Sequence, residues 1–419
     1  MGPDVLVIGG GAAGIFASWR AAELGARVLL LEKTDRLGTK ILISGGGKCN
    51  LAHDGPLEEV IRAFRPNEAR FIRPACYRLP NQKIIEVFTS RGLEVFTRPD
   101  GRVFPLTKTA KDVVAILEDC LYDAGVEVRY ETSVLEITRD EEGIAGVMTE
   151  GGFLPCRHVV LCAGGSSYPK TGSTGDGWPW AADLGHSIIK VRAALAPIYL
   201  VRDDFAEISG VSLRGVILKA RAGGKEAARW QGDLLFTHKG ISGPTALGIS
   251  RIVTERMAEG EVTLEVDLDP DSSFEQISAR LKAWVIQHPK RAIGGFLDGL
   301  VPTRLEPFVL SEAGLADESS QAVSKKGLNR LVEAIKGFSL GLVRAVPLEK
   351  GEVVAGGISL DEVDPKTMRS LKCPGLYPCG EVLDIAGPVG GYNLQAAFAT
   401  GSLAGETAAA DAFEGASSA

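Results

Sequence analysis

The 419-residue chain lacks several patterns that define common protein classes. None of its seven cysteines is spaced as C-x-x-C, so the sequence predicts neither a zinc ribbon nor a thioredoxin-like redox pair, and we expect no metal site. An odd number of cysteines favours a cytoplasmic protein over a secreted one. The N-terminus has no basic region typical of a signal peptide. No apolar run is long enough to span a bilayer, so we expect no membrane partner.

An excess of positive charge is also missing, because the net charge is −7 at pH 7. A protein that binds nucleic acid regardless of its sequence needs basic surface to displace counterions, so we expect no nucleic-acid partner. Glycine, in contrast, is abundant: many of the 51 glycines stand in short clusters. Such clusters indicate tight turns or backbone that approaches a ligand closely. The overall composition and length predict a globular protein of two or three domains.

The segment DVLVIGGGAAGIFASWRAAELGARVLLLEK predicts a dinucleotide-binding βαβ unit. Val5 to Ile8 is typical of a buried parallel strand, and the glycines after it form the pattern G-x-G-x-x-G. A helix from Ile15 to Leu24 and a second strand from Val28 to Leu31 follow. Glu32 then stands where an acid would hold a ribose hydroxyl. The motif by itself does not separate NAD from FAD.

Two later segments bring glycines back to the end of a strand. The buried run from Val159 to Ala163 ends in a glycine pair. The short strand from Leu376 to Cys379 is followed by Glu381, and Gly390-Gly391 opens a helix predicted from about Asn393 through Ala410. A helix N-terminus offers unpaired N–H groups and a positive dipole end. It would suit the edge of a reduced flavin where negative charge collects.

These motifs occur together with GTKILISGGGKCN, GRVFP, CAGGSSYPKTGSTGDGW and FTHKGISGP. From Val5 to about Gly401, the sequence resembles the bacterial FAD flavoproteins called BaiN-like or aminoacetone-oxidase-like. The resemblance implies an α/β fold with a discontinuous Rossmann-like FAD-binding domain and an inserted β-barrel-like and helical substrate domain. We expect the FAD domain at 1–194 and 344–410, the insert at 195–343 (β-barrel-like over 195–270, helical over 271–343), and a flexible tail at 411–419.

The resemblance also implies which residues bind FAD. The implied contacts are Gly9, Gly11, Ala13 and Gly14 at the pyrophosphate, Glu32 and Lys33 at the adenosine ribose, Val134, Ala163 and Gly164 in the adenine pocket, Gly380 and Glu381 at the ribityl chain, and Gly391, Asn393 and Leu394 at the isoalloxazine.

The segment KILISGGGKCN is expected to form a loop across the cofactor. Its expected contacts are Lys40 for phosphate charge, Ser44, Gly45, Gly46 and Gly47 for hydroxyl and N–H donors, and Asn50 for a hydrogen bond at the edge. Cys49 is interpreted as a packing residue, because thiol reactivity needs an activating environment.

Four side chains are candidates for acid–base work. His238 in LLFTHKGISGP is the predicted catalytic proton donor or substrate anchor, because histidine titrates near neutral pH. Tyr168 and Tyr392 stand next to loops that the resemblance places at the flavin, where either could stack, cap or protonate. Asp176 is interpreted as a turn acid.

The chain has no second strand–G-x-G-x-x-G–helix unit for a nicotinamide, so NADH or NADPH would bind transiently as electron donor. We predict an FAD-dependent oxidoreductase that acts on a small-molecule substrate by NAD(P)H-dependent reduction of an activated double bond. Two alternatives stay open: an oxidase of a small amine or ketone that uses oxygen, and an FAD-containing protein of RNA modification or interaction. A further alternative is an NAD-dependent dehydrogenase, which would contain no bound flavin.

Overall fold

A computed structural model of the protein describes residues 2–316 and 318–417, which form two compact units. The first unit comprises residues 1–191 and 352–419, and the second comprises residues 192–351. The second unit therefore begins three residues before the predicted insert and ends eight residues after it.

Both units combine helices with strands, and each contains runs of consecutive helices and of consecutive strands. The strands are β1 (Val5–Ile8), β2 (Val28–Leu31), β3 (Ala52–His53), β4 (Val95–Thr97), β5 (Arg102–Pro105), β6 (Glu127–Arg129), β7 (Val134–Asp140), β8 (Gly143–Thr149), β9 (Gly152–Pro155), β10 (Val159–Leu161), β11 (Ile188–Ala194), β12 (Ile198–Leu200), β13 (Ser212–Ala222), β14 (Lys225–Thr237), β15 (Gly240–Ser242), β16 (Val262–Asp267), β17 (Phe338–Ala345), β18 (Val353–Ile358) and β19 (Leu376–Pro378). The helices are α1 (Ala12–Glu23), α2 (Thr39–Ile43), α3 (Leu57–Arg62), α4 (Pro66–Arg78), α5 (Asn81–Thr89), α6 (Ala110–Asp123), α7 (Gly177–Asp183), α8 (Pro244–Met257), α9 (Phe274–Gln287), α10 (Glu306–Glu312), α11 (Lys325–Lys336) and α12 (Tyr392–Ser417).

The centre of the first unit is a parallel sheet with the strand order β19-β10-β1-β2-β6. Leu6 of β1 lies in register with Val159 of β10 and with Leu29 of β2. Strands β1, β2 and β10 are buried along their whole length, as expected of apolar parallel strands that are covered on both faces. Their carboxyl ends meet at one edge of the sheet, which is where the glycine-rich loops begin.

Helices α1 and α12 pack with their backbones in close contact. A Cβ added to Gly401 would overlap the carbonyl oxygen of Ala13, and one added to Gly405 would overlap that of Ala17. Two glycines about one turn apart on α12 therefore let it approach α1 where a larger residue would clash. The C-terminal helix thus covers the helix that follows the first glycine motif.

Helix α12 is longer than predicted, because it continues past Ala410 to Ser417. Residues 411–417, predicted as part of a flexible tail, are helical, and residues 418 and 419 lie outside the described residues. Asp411 explains part of the difference, since its carboxylate accepts hydrogen bonds from Arg369 Nε (2.8 Å) and Tyr377 OH (2.6 Å). These partners come from distant parts of the chain and hold the extra turns in place.

The second unit contains a closed barrel with the strand order β12-β15-β14-β13-β16-β17, in which each pair of neighbours is antiparallel. Leu218, Phe236, Val266 and Phe338 are completely buried in its core. Closure leaves no free edge that another chain could extend.

The predicted division of the insert needs two corrections. Helix α8 lies within the part predicted as β-barrel-like, and strand β17 lies partly in the part predicted as helical. Strand β17 is extended because it pairs with both β12 and β16 and so closes the barrel. Those partners lie far away in the sequence, and local periodicity does not reveal them.

The predicted fold class is confirmed: the structure is α/β, with a Rossmann-like domain made of both chain ends and an inserted β-barrel with helices. No helix in the described part of the chain is both long enough and apolar enough to cross a membrane.

Candidate functional site

The turn between β1 and α1 is a tightly closed glycine turn. A Cβ added to Gly14 would overlap the carbonyl oxygen of Gly9. Gly9 has a φ of +102°, and a Cβ there would lie 2.6 Å from Cys162 O. Neither position accepts a larger residue, so α1 starts directly above the end of β1.

The first turn of α1 is open to a ligand. Among the described residues, no side chain caps this helix at its N-cap, Gly11, and its first turn contains no acid. A Cβ added to Gly11 would meet nothing within 4 Å, and the next residues are the small Ala12 and Ala13. The free N–H groups and positive dipole end of such a turn bind phosphate. This geometry fits the diphosphate of a dinucleotide.

Glu32, which follows β2, is hydrogen-bonded through both carboxylate oxygens. Oε2 accepts from Gly10 N–H at 2.7 Å, and Oε1 accepts from the N–H and hydroxyl of Thr34 at 2.7 and 2.8 Å. Since a carboxylate has roughly four acceptor positions, one remains for a ribose hydroxyl. Thr132 N–H donates to Glu32 O at 2.9 Å, which brings the start of β7, the buried Val134, close to this acid.

Lys33 connects the end of β2 to the segment after β10. Its Nζ lies 2.5 Å from Thr174 Oγ1 and 2.6 Å from Asp176 Oδ2. Asp176 therefore serves as an ion-pair partner as well as a turn residue. In the same segment, Ala163 Cα would lie 3.3 Å from a Cβ on Gly9, and Gly164 follows it with a φ of +73°. The β10 loop thus borders the first glycine turn.

The segment KILISGGGKCN forms α2 and then a left-handed turn. Gly45, Gly46 and Gly47 have φ values of +55°, +68° and +84°. The Ser44 hydroxyl donates to Ile41 O at 2.7 Å, so it closes the end of α2. A Cβ added to Gly46 would meet nothing within 4 Å, so this glycine faces open space.

Cys49, which follows these glycines, has no exposed surface. It adopts a φ of +60°, although it is not glycine. Burial raises the pKa of its thiol to about 12, so the thiolate is scarce at neutral pH. A buried, protonated thiol is a packing group, in agreement with the interpretation from the sequence.

An ion pair joins α2 to the C-terminal part of the first unit. Lys40 Nζ lies 2.6 Å from Glu381 Oε2 and 2.5 Å from Ser167 Oγ. The side chains of Lys40 and Glu381 are 25% and 19% exposed. Glu381 Oε1 also accepts from Val354 N–H at 3.0 Å. The Lys40 charge, predicted to neutralise phosphate, is thus balanced by a carboxylate of the protein, and Gly380 N–H beside it donates to Thr400 Oγ1 at 3.1 Å.

The second glycine loop, Gly390-Gly391, starts α12 and packs against the segment around Asn50. Gly391 has a φ of +92°, and a Cβ there would overlap the carbonyl group of Ala52. Oriented according to its hydrogen-bond partners, the Asn50 amide accepts from Gly391 N–H at 2.9 Å and donates to Val103 O at 3.2 Å. Asn50 therefore ties the KILISGGGKCN segment to the start of α12.

Two predicted flavin contacts lie in the first turn of α12. Asn393 fixes the loop before the helix, because its Oδ1 accepts from Gly387 N–H at 2.8 Å and its Nδ2 donates to Gly387 O at 3.0 Å. Leu394 is half-buried and packs against the core of the first unit.

The structure adds one residue that the sequence left without a role. His53 of β3 contacts Tyr392, which lies 339 residues later, through stacked rings and a hydrogen bond. The signal in the sequence was weak: His53 follows the KILISGGGKCN segment by three residues.

The predicted catalytic residue, His238, lies exposed in the turn between β14 and β15 of the second unit. It is not among the side chains that the first unit gathers around its glycine loops, and its role stays a prediction. Tyr168, in the first unit, has a φ of +51° and is 37% exposed. Partial burial raises the pKa of its phenol, and the charge of Glu352 adds to this.

These features together fit FAD. The open N-terminus of α1, the remaining acceptor of Glu32, and the free space at Gly11 and Gly46 suit a diphosphate and its ribose. Within the described ranges, no group of three or more His, Cys, Asp and Glu side chains is arranged to hold a metal ion.

Comparison with known proteins decides the family. The model of the HI0933-like protein Rossmann domain family matches residues 3–407. The chain belongs to this family. Members of the HI0933-like family are FAD-dependent oxidoreductases, and so is this protein. The resemblance to the BaiN-like and aminoacetone-oxidase-like flavoproteins is confirmed.

Relatives of the HI0933-like family match over nearly their whole length. The chain is 31% identical to the 3-dehydro-bile acid delta(4,6)-reductase of Clostridium scindens, over 96% of this chain and 98% of that protein. It is 29% identical to the ribosomal RNA dihydrouridine synthase of Escherichia coli, over 95% and 96%. A solved structure, the 3-ketosteroid delta1-dehydrogenase of Sterolibacterium denitrificans, matches with a TM-score of 0.54 and 17% identity over 98% and 99% of the chains. At this identity, the likeness concerns the fold.

Proposed function

We propose that this protein reduces a carbon–carbon double bond conjugated to a carbonyl group, with NADH or NADPH as the electron donor. The observation that carries the proposal is the full-length likeness to two proteins with unlike substrates. One name describes reduction of a 3-oxo bile acid at its Δ4,6 bonds, and the other describes formation of dihydrouridine. Both describe the addition of two hydrogens to a ring double bond conjugated to a carbonyl group.

The residues of the first unit support this chemistry. When bound, FAD supplies the hydride transfer. The open first turn of α1 would bind the diphosphate, and Glu32 would hold the ribose. The start of α12, fixed by Asn50 and Asn393, would direct its positive dipole end towards the flavin edge.

A small-molecule substrate is the first choice for this protein. The first unit, which carries the glycine loops, has 25 Lys and Arg residues against 33 Asp and Glu residues. This excess of negative charge disfavours contact with a polyanion. An enone on an apolar ring, as in a steroid, meets no such barrier.

A second candidate function, reduction of uridine in RNA, is favoured by one surface of the second unit. The ring of Tyr199 has Lys239 Nζ at 5.6 Å and Arg344 Cζ at 6.0 Å from its centroid. Aromatic rings flanked by cations bind bases and phosphates of single-stranded nucleic acid. The second unit also carries no negative excess, with 21 Lys and Arg residues against 20 Asp and Glu residues.

The first experiment tests the cofactor and the electron donor. The purified protein is expected to be yellow and to be bleached anaerobically by NADH or NADPH, each added separately. A colourless protein that added FAD does not reconstitute would contradict FAD as the cofactor. Bleaching by neither nucleotide would favour the oxidase.

The second experiment tests the acceptor. The reduced protein is mixed anaerobically with a 3-oxo-Δ4,6 steroid, with a uridine-containing RNA oligonucleotide, or with buffer, and the return of yellow colour is recorded. We expect rapid reoxidation by the steroid. Faster reoxidation by RNA, with binding that weakens steeply as salt rises, would replace the small-molecule reading. A parallel sample mixed with air-saturated buffer tests the oxidase, which is favoured if oxygen reoxidises the protein and neither the steroid nor the RNA does.

A further inference from the structure

His53 and Tyr392 form a close pair at the start of α12. Their ring centroids lie 4.3 Å apart with an interplanar angle of 19°, and His53 Nε2 lies 3.1 Å from the Tyr392 hydroxyl. Tyr392 is the first residue of α12 and follows Gly391, whose backbone packs on β3. The pair therefore sits in the same turn as the predicted flavin contacts Gly391 and Asn393.

The surroundings of His53 fix its tautomer. Nδ1 lies 3.2 Å from Gly390 O, and a carbonyl oxygen can only accept. Nδ1 therefore carries the proton in the neutral ring, and Nε2 is left with a lone pair. It follows that the Tyr392 hydroxyl donates to Nε2.

His53 is also held firmly in place. Its carbonyl oxygen accepts from Asn81 Nδ2 at 3.0 Å, and the backbone of Gly101 packs so closely on the ring that a Cβ there would overlap Nε2. The Phe64 ring also meets Tyr392 edge-on, with centroids 6.1 Å apart. The rings of the pair thus have little freedom to turn.

The Tyr392 phenol is half-buried, and burial raises its pKa above the usual value, with the charge of Asp100 adding to this. The phenol consequently keeps its proton at neutral pH. A protonated, immobilised hydroxyl at the flavin-facing turn has the state that a general acid needs.

We propose that Tyr392 is the catalytic proton donor of the reduction and that His53 is its positioning residue. This inference rests on the proposed function. The hydride delivered to the β-carbon of the conjugated bond brings two electrons, the π bond breaks, and the α-carbon takes the phenolic proton of Tyr392. The phenolate then regains a proton from solvent, so that the substrate gains two hydrogens in total.

Tyr392→Phe tests the donor, because it keeps the ring contacts and removes only the hydroxyl. Reoxidation of the reduced holoenzyme by the 3-oxo-Δ4,6 steroid should slow at least about 100-fold, the usual contribution of a general acid. FAD content and the rate of reduction by the active nicotinamide donor, NADH or NADPH, should not change. Tyr122→Phe, at an 85% exposed tyrosine, is the matched control. Reoxidation of Tyr392→Phe at the wild-type rate would overturn the proposal.

His53→Gly tests the positioning role, because it opens a space of imidazole size beside Tyr392. We expect kcat to fall about tenfold with little change in KM, and added imidazole to restore most of it. A histidine that only packs would not respond in this way, so a variant with unchanged kcat, or one that imidazole does not rescue, would contradict the role of His53.

A third measurement needs no substrate. The ¹⁵N NMR spectrum of the neutral His53 ring should show a protonated Nδ1 and an unprotonated Nε2, and Tyr392→Phe should shift the Nε2 signal. A proton on Nε2 and none on Nδ1 would contradict the hydrogen bond from the Tyr392 hydroxyl to His53. If the wild-type protein is reoxidised by neither the steroid nor the RNA, the proposed function fails, and this spectrum still decides whether Tyr392 donates to His53.

Discussion

The first unit has two glycine loops, one before α1 and one before α12. Both begin a helix, but different kinds of contact hold them in place. The loop before α1 is closed mainly within its own βαβ unit: Gly14 packs on Gly9, and Gly10 N–H is held by Glu32. The loop before α12 is closed by residues more than 330 positions earlier, namely Asn50, Ala52 and His53. The first is therefore a local motif, and the second depends on the tertiary fold.

This difference has a chemical consequence. The local loop offers backbone donors and a single carboxylate, which suit binding of a cofactor. The tertiary loop gathers an amide, an imidazole and a phenol from two distant segments. Such groups can orient a bound molecule and can transfer protons.

Among variants that compare the two loops, Gly14→Ala is expected to have the largest effect on stability. The new methyl group overlaps Gly9 O, and neither backbone segment can move aside. We expect destabilisation at or beyond ~3 kcal/mol, the upper range for overpacking, together with loss of FAD. Urea unfolding and the FAD content after gel filtration measure the two effects.

Gly11→Ala is the matched control in the same loop, because it has an ordinary φ of −83° and free space around the new methyl group. It should keep the stability of the wild type and weaken only FAD binding. Equal stability of the two variants would argue against the closed-turn geometry.

A smaller effect is expected for Gly391→Ala in the tertiary loop. The methyl group clashes with the Ala52 carbonyl at a left-handed φ, and β3 can give way more easily than a central strand. We expect a loss of about 2 kcal/mol of unfolding free energy. Gly92 has a φ of +84° and open space around it, so Gly92→Ala measures the cost of the left-handed backbone alone, which we expect to be about 1 kcal/mol. If Gly391→Ala lost no more unfolding free energy than Gly92→Ala, the contact between Gly391 and β3 would be loose.

The Lys40–Glu381 ion pair links the segments that carry the two loops, and its coupling should be smaller again. A double-mutant cycle of Lys40→Met and Glu381→Gln should give a coupling energy of about 1 kcal/mol, because both side chains are largely buried. Urea unfolding of the four proteins provides the value. Strictly additive single effects would mean that the two segments are not coupled through this pair.

The smallest effect concerns Cys49, which lies between the loops in sequence and takes no part in either. Cys49→Ala should leave FAD content and turnover within about twofold of the wild type. Its pKa of about 12, raised from 9.0, means that the folded state holds the proton more tightly than the unfolded state. The stability from this thiol is therefore present below pH 9 and is lost as the pH rises towards 12. Unfolding free energy should fall less steeply over that range in Cys49→Ala, and an identical slope would contradict the burial.

The sequence predicted the local loop and its strands well, because their signals are contained in one βαβ unit. Strands β1 and β2 have the predicted bounds, and α1 starts three residues and ends one residue earlier than predicted. The roles of Gly380, Glu381 and Gly391 came from family resemblance, since no periodicity points to them.

The rest was beyond the sequence because it depends on long-range contacts. Lys40 meets Glu381 across 341 residues, and His53 meets Tyr392 across 339. The extra length of α12 and the closure of the barrel by β17 have the same origin. The sequence contains the residues of such pairs but does not show that they contact each other in the fold.

The close packing of α12 on α1 also governs how the protein is made. During synthesis, the ribosome releases β1, α1, β2 and β10 first, then the continuous segment 192–351, and only at the end the strand and helix that complete the sheet. Until Gly401 and Gly405 arrive, the face of α1 that they cover and the outer edge of β10 stay exposed. The nascent chain can therefore finish its barrel while its nucleotide-binding half is incomplete. Translation that stops before β19 would yield a sheet that lacks one of its five strands and is prone to association through the free edge of β10.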